Sequence, residues 1–208
     1  MTYFPDRAHA DCGAYADSYF ALLASAAATV DRAALARAAS LLVERIEAGG
    51  RVYSCGNGGS AAIANHLVCD HLKGIRTDTD LAPKVHSLSS TVELITAIAN
   101  DIGTEEIFSF QLSSLAQEGD VLIAISSSGA SPNIVRVIEE ARARKVVTIA
   151  MTGFAGAPAA GLADVSLHVD AHNYGVIEDV HQSLMHILAQ YIRHSHLHDP
   201  AALGTLKF

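Results

Sequence analysis

An α/β fold, a doubly wound parallel sheet in three layers with helices on both faces, is predicted for this chain by three observations. Short strand-like runs alternate with longer stretches whose apolar residues recur at a helical period. The run VLIAI at 121–125 is apolar without a break, as expected of a strand covered on both sides. Two of the runs lead into glycine- and serine-rich turns that open helices, which is how βα units are joined.

The elements follow in order. The segment from about Ala14 to Ala48 is rich in Ala and Leu and reads as two helices divided near Thr29–Asp31. Asp31 is the N-cap of the second, and Gly49-Gly50 stops it. The α/β core then occupies about 51–195. RVYSC (51–55) is a strand, 56–60 a loop, Ser60–Leu72 a helix and Lys84–Leu88 a short strand. Helices are expected over Ser90–Asn100 and Glu105–Ala116, then the strand Val121–Ile125, a loop over 126–131 and a helix over Pro132–Arg144. Val146–Met151 and Val165–Val169 are strands, and a long helix runs from about Val176 to His194. The tail after His198 is expected to be poorly ordered or to pack on a neighbour. With no internal repeat and no Ser/Gly linker, 1–208 is read as one domain.

Half of the 208 residues are apolar and 17% are charged, too apolar for disorder. No uncharged apolar run approaches the roughly 20 residues of a membrane span. A formal charge of −8 argues against nucleic acid held by bulk electrostatics, and leaves room for a local anion pocket. Cys12, Cys55 and Cys69 form no CxxC pair, and their odd number fits a reducing compartment better than a disulfide framework. The start, MTYFPDRAHADCG, has acids and a proline where a signal peptide needs a cationic end and an apolar run. A cytoplasmic protein is the expectation.

Two loops carry the chemistry. SCGNGGSAA, residues 54–62, has glycines that let backbone approach a ligand and a serine, Ser60, that opens a helix. ISSSGASPN, residues 125–133, has four serines and enters a helix through Pro132. Serine hydroxyls and helix-start amides suit a phosphate without a Walker lysine, and neither GxGxxG nor GxxxxGK[ST] occurs. Either loop alone reads equally as a tight turn with a capping serine; the pair favours an anion site. His66 and Asp70 are four residues apart and share a helix face. Glu178 and His186, eight apart, lie within about 80° of each other around a helix. Spacing alone leaves both pairs as solvated helix faces or as metal and acid–base groups.

Taken together, SCGNGGSAA, AIAND (97–101), EGDVLIAISSSG, VTIAMTG and HILAQYIR resemble the SIS (sugar isomerase) domain family, in particular its phosphoheptose isomerases. The resemblance implies a sugar phosphate held by Ser60, Ser126, Ser128 and Ser131, with Ser127 beside them and Asn57 and Gly58 shaping the first loop. Asp101 stands at an active-site aspartate of the family, and equally where an acid closes a helix after Asn100. In the family, the helix after the first loop carries His and Glu four apart, and the last helix Gln and His eight apart, associated with zinc and proton transfer. His66 and His186 match these directly; Asp70 stands at the Glu and Glu178 at the Gln. The resemblance therefore implies one Zn2+ held by His66, Asp70, Glu178 and His186, with Asp70 or Glu178 as base and His186 as acid or proton shuttle.

It further implies interconversion of sedoheptulose 7-phosphate and D-glycero-D-manno-heptose 7-phosphate, in a homotetramer with sites at subunit interfaces. Ala130 and Gly175 depart from the family's Asn and acid, and KGIR is one residue out of step with its T-G-R. Two rival readings stay open: a phosphosugar isomerase or epimerase of other substrate choice, and a non-catalytic SIS adaptor or sugar-phosphate sensor. His181 is expected to pack or support the site. His71, His194, His196 and His198 are expected on the surface or tail, and Lys73 and Arg76 at a positive edge or a solvated helix end.

Overall fold

A computed structural model describes residues 3–156 and 158–206. Helices α1 (Cys12–Ala28) and α2 (Arg32–Glu47) precede a βα core. Asp11 caps α1 by accepting from the Ala14 amide, and Asp31 caps α2 by accepting from Ala33. The core runs β1 (Arg51–Gly56), α3 (Gly59–Cys69), β2 (Lys84–Ser87), α4 (Val92–Asp101), α5 (Ser109–Leu115), β3 (Val121–Ser126) and α6 (Pro132–Ala143). It continues through β4 (Val147–Thr152), the short α7 (Ala159–Leu162), β5 (Val165–His168) and α8 (Tyr174–Ser195). All five strands are parallel, in the order β2-β1-β3-β4-β5.

Two apolar cores sandwich the sheet because successive strand residues point to opposite faces. Val121, Ile123 and Ile125 of β3 join α1, α2, α3 and α8 on one face. Leu122 and Ala124 join α5, α6 and α7 on the other. The three-layer, doubly wound reading of the sequence holds, and the N-terminal helices cover one face of the core. The strand order reverses between β1 and β3, so their carboxyl ends flank the crevice where an open α/β sheet binds ligands.

Two local features differ from expectation. After Cys69 the helix does not continue as α but widens into a π-helical turn over Asp70–Ile75. Part of the tail after His198 is ordered: Pro200–Ala202 form a 3-10 turn, and just before it Leu197 bridges to Thr79 and His198 N–H donates to the Asp78 carbonyl. Arg193, buried in α8, donates to Asp78 Oδ2 at 2.8 Å and ties the same loop down. The unpaired backbone of residues 77–79 thus finds partners within its own chain.

Candidate functional site

The first loop leaves β1 and turns at Gly58, whose φ of 55° suits a residue without Cβ. Ser60 follows, buried at the first turn of α3. The second loop leaves β3 and enters α6 through Ser131, the N-cap, and Pro132. Ser131 makes no capping hydrogen bond with its side chain. Ser126 Oγ accepts from the Gly129 amide and Ser128 Oγ from Ala130, while the buried hydroxyl of Ser127 has no partner. Asn57 and Asn133 join the loops by two reciprocal amide hydrogen bonds of 2.9 Å. These residues enclose a cavity of about 270 Å³, lined also by Ile125, Phe154, Tyr174 and Glu178.

Two helix starts and five serine hydroxyls line this cavity, with no cation among the described lining residues, which suits an oxyanion held by hydrogen bonds. The Glu178 carboxylate reaches over the start of α3 so closely that a Cβ on Gly59 would overlap it. Burial raises the Glu178 pKa above its ordinary value, and the neighbouring Asp179 charge adds to this. A carboxyl so placed is suited to proton transfer.

Toward the middle of α8 a second group gathers. His66, Asp70 and His186 bring one ligand atom each within 4.8 Å of one another, a set able to hold a metal ion. His186 Nδ1 lies 2.6 Å from Asp70 Oδ2, and His66 Nε2 lies 3.4 Å from Asp70 Oδ1. The π-helical turn begins at Asp70 itself. Beside this group a groove of about 310 Å³ is lined by Cys69, Asp70, Lys73, Gly74, His186, Gln190 and Arg193, among others. Lys73, which is exposed, and Gly74 are the part of KGIR that borders the groove.

Seven of the residues read as binding the sugar phosphate, or as shaping its site, are thereby brought to one place. Asp101 is not among them: it is the exposed last residue of α4, and its Oδ1 accepts from Asn100 at 2.6 Å. Glu178 lines the serine cavity and is not one of the atoms gathered around Asp70. His181 packs, one of the two expectations for it: it is buried, with Nε2 3.1 Å from the Thr152 carbonyl and its pKa lowered to about 4 by burial. His71 was expected at the surface and is wholly buried, with neither ring nitrogen hydrogen-bonded and a pKa lowered to about 4 by burial. The helical face Ala64, Leu67, Ile75 passes through position 71, and that spacing is the signal that outweighs histidine's polarity. His194 and His198 are exposed and His196 half-buried, as expected. Gly175 has a local reason, since a Cβ there would meet the Tyr19 hydroxyl at 3.1 Å. Asn133 and Gln182 were not singled out in sequence: neither belongs to a charged or metal-ligating pair, and only their partners in space reveal them.

Comparison with known proteins supplies an independent view of this geometry. The sequence pattern of the SIS domain matches residues 14–153. The phosphoheptose isomerase of Colwellia psychrerythraea is 40% identical over 158 residues, which cover 74% of this chain and 80% of that protein. The solved phosphoheptose isomerase of Neisseria gonorrhoeae superposes with a TM-score of 0.78 at 32% identity, covering 85% of this chain and 96% of that one. That of Francisella tularensis gives 0.79 at 32% identity, over 88% and 98%.

Proposed function

The chain belongs to the SIS domain family, among its phosphoheptose isomerases, and from that premise we propose that it interconverts sedoheptulose 7-phosphate and D-glycero-D-manno-heptose 7-phosphate. One observation carries the reading beyond family membership. The serine cavity shares Glu178 as a wall, and the same helix presents His186 two turns further on, beside His66 and Asp70. An anion site with room for a phosphate and a proton-transfer apparatus thus stand along one helix.

In this reading the phosphate rests on the hydroxyls of Ser60, Ser126, Ser127, Ser128 and Ser131 and on the free amides at the starts of α3 and α6. Fixing the far end of the sugar orients its C1–C2 end. Glu178 is the base: it takes a proton from C1 of the ketose and returns it to C2, passing through an enediol. Asp70 is the weaker candidate because both its oxygens already face imidazoles. The proton between the two sugar oxygens is exchanged through solvent, because His186 has one ring nitrogen toward Asp70 and the other toward Gln182. Asp101, exposed at the end of α4, belongs to the site only if a neighbouring subunit presents it.

Two imidazoles and one carboxylate with an open side form a donor set that suits catalytic zinc. Such an ion would supply Lewis acidity toward the sugar oxygens. With one anionic ligand rather than two it would keep more of its charge, and Glu178 would stay free for proton transfer. A homotetramer is part of the proposal. It is supported by the exposed Phe20 on α1 and by an apolar groove between α2 and α8 that includes Leu35, Ala39, Ile187 and Tyr191. A cytoplasmic location is likewise proposed, supported by the three free cysteines.

The test is a panel of ketose and aldose phosphates, assayed before and after chelation. The heptose pair should turn over fastest, and turnover should fall on chelation and return with Zn2+. Full activity after complete metal removal would eliminate the metal role. Preference for another sugar phosphate would reassign the substrate, and binding of sugar phosphates with no turnover of any would favour a sensor or adaptor.

A further inference from the structure

Gln182 lies on α8 one turn after Glu178 and one turn before His186. Its amide nitrogen is 2.9 Å from His186 Nε2 and 3.1 Å from His66 Nδ1. The opposite edges of the same two rings face Asp70. Four side chains therefore close a ring: amide, imidazole, carboxylate, imidazole. An amide NH2 carries two hydrogens and a carboxylate two acceptor oxygens, so one assignment satisfies every contact. Gln182 donates to His66 Nδ1 and His186 Nε2, Asp70 accepts from His186 Nδ1–H, and a proton on His66 Nε2 faces Asp70 Oδ1 across a looser 3.4 Å charge contact. Each histidine is thereby held as a single tautomer.

A metal held by Asp70 and the two ring nitrogens beside it requires those nitrogens to be unprotonated. Both ring protons must then stand on the edges that face Gln182. A primary amide can answer this by turning its carbonyl oxygen to where its NH2 had been, and accepting from both rings. We propose that Gln182 is a positioning residue of the metal centre, whose reversible amide fixes the paired tautomers of His66 and His186 and thereby the site's affinity for metal. This rests on the metal reading above and adds a residue to it. Ligating histidines are commonly oriented by such a partner on the other ring nitrogen, and its removal typically weakens metal binding about 10- to 100-fold. A leucine at 182 fills similar space and can satisfy neither proton arrangement.

The experiment compares wild type with Gln182→Leu and Gln182→Glu, each first checked by thermal melting for an intact fold. Zn2+ affinity is read by competition with a chromophoric chelator, ligand geometry by the Co2+ absorption spectrum, and ring tautomers by 15N NMR. Wild type without metal should show His66 as the Nε2–H and His186 as the Nδ1–H form, and the loaded protein the reverse. Gln182→Leu should mix the tautomers, alter the Co2+ spectrum and weaken Zn2+ binding by at least about ten-fold. Gln182→Glu, an acceptor for both ring protons, should restore most of the affinity. Wild-type affinity and tautomers in Gln182→Leu would overturn the inference alone. Tighter binding in that variant would overturn it too, showing that Gln182 competes with the metal. Failure of wild type to bind any divalent ion would remove the metal reading and this inference together, a result distinct from either of the others.

Discussion

Glu178 and Asp70 are both carboxylates, yet their surroundings suit them to different work. Asp70 sits between two imidazoles, whereas Glu178 is withdrawn into the serine cavity with its pKa raised by burial. Glu178→Gln should therefore lower kcat by about 10²- to 10⁴-fold while leaving sugar-phosphate binding nearly intact, measured by steady-state kinetics and by binding of a non-reactive analogue. A raised carboxyl pKa also has a signature in folding. The neutral form favours the folded state, so its contribution is full below the ordinary value of 4.5 and is lost as pH rises through the raised one. The stability of Glu178→Gln relative to wild type should accordingly grow with pH across that window, as read by urea unfolding. Gly59→Ala probes the same carboxylate from the other side: the new methyl displaces Glu178, and activity should fall with little change in Tm.

At the scale of elements, the site is built from two βα turns locked to each other. Removing one amide of the Asn57–Asn133 pair, as in Asn133→Ala, should cost about 1–2 kcal/mol of stability and raise KM more than it lowers kcat. Chemical denaturation and kinetics report the two effects separately. The turns themselves were legible in the sequence, because glycine and serine at a strand end leave few alternatives for the backbone. So was the His66–Asp70 face, which is set by helix geometry. Three things were not. The π-helical turn at Asp70 has no residue signature and packs against α8. The separation of Glu178 from the Asp70 group depends on side-chain direction, which spacing along α8 does not encode. Asn133 and Gln182 matter only through partners that are distant in sequence.

For the whole molecule, sequence carried the order of strands and helices because strand-like runs alternate with helix-period stretches, the pattern of a doubly covered parallel sheet. It did not carry the neutral histidines inside. His71 and His181 are held uncharged, with pKa values near 4 against an ordinary 6.5. Their contribution to stability is whole above pH 6.5 and is lost as pH falls through about 4, because the unfolded chain takes up protons that the folded one refuses. His71→Leu, which removes two buried nitrogens without partners, should raise stability at pH 7 by about 1 kcal/mol and soften the acid limb of the stability profile. The architecture as a whole places the serine cavity at the sheet's reversal point and Glu178 on the adjoining helix, which the proposed function reads as phosphate cradle and base. That joint purpose is tested most directly by following sedoheptulose 7-phosphate with the protein in D2O by 1H NMR. The prediction is appearance of the aldose phosphate carrying solvent deuterium at C2, abolished in Glu178→Gln. An unchanged ketose that is nonetheless bound in the serine cavity would contradict it.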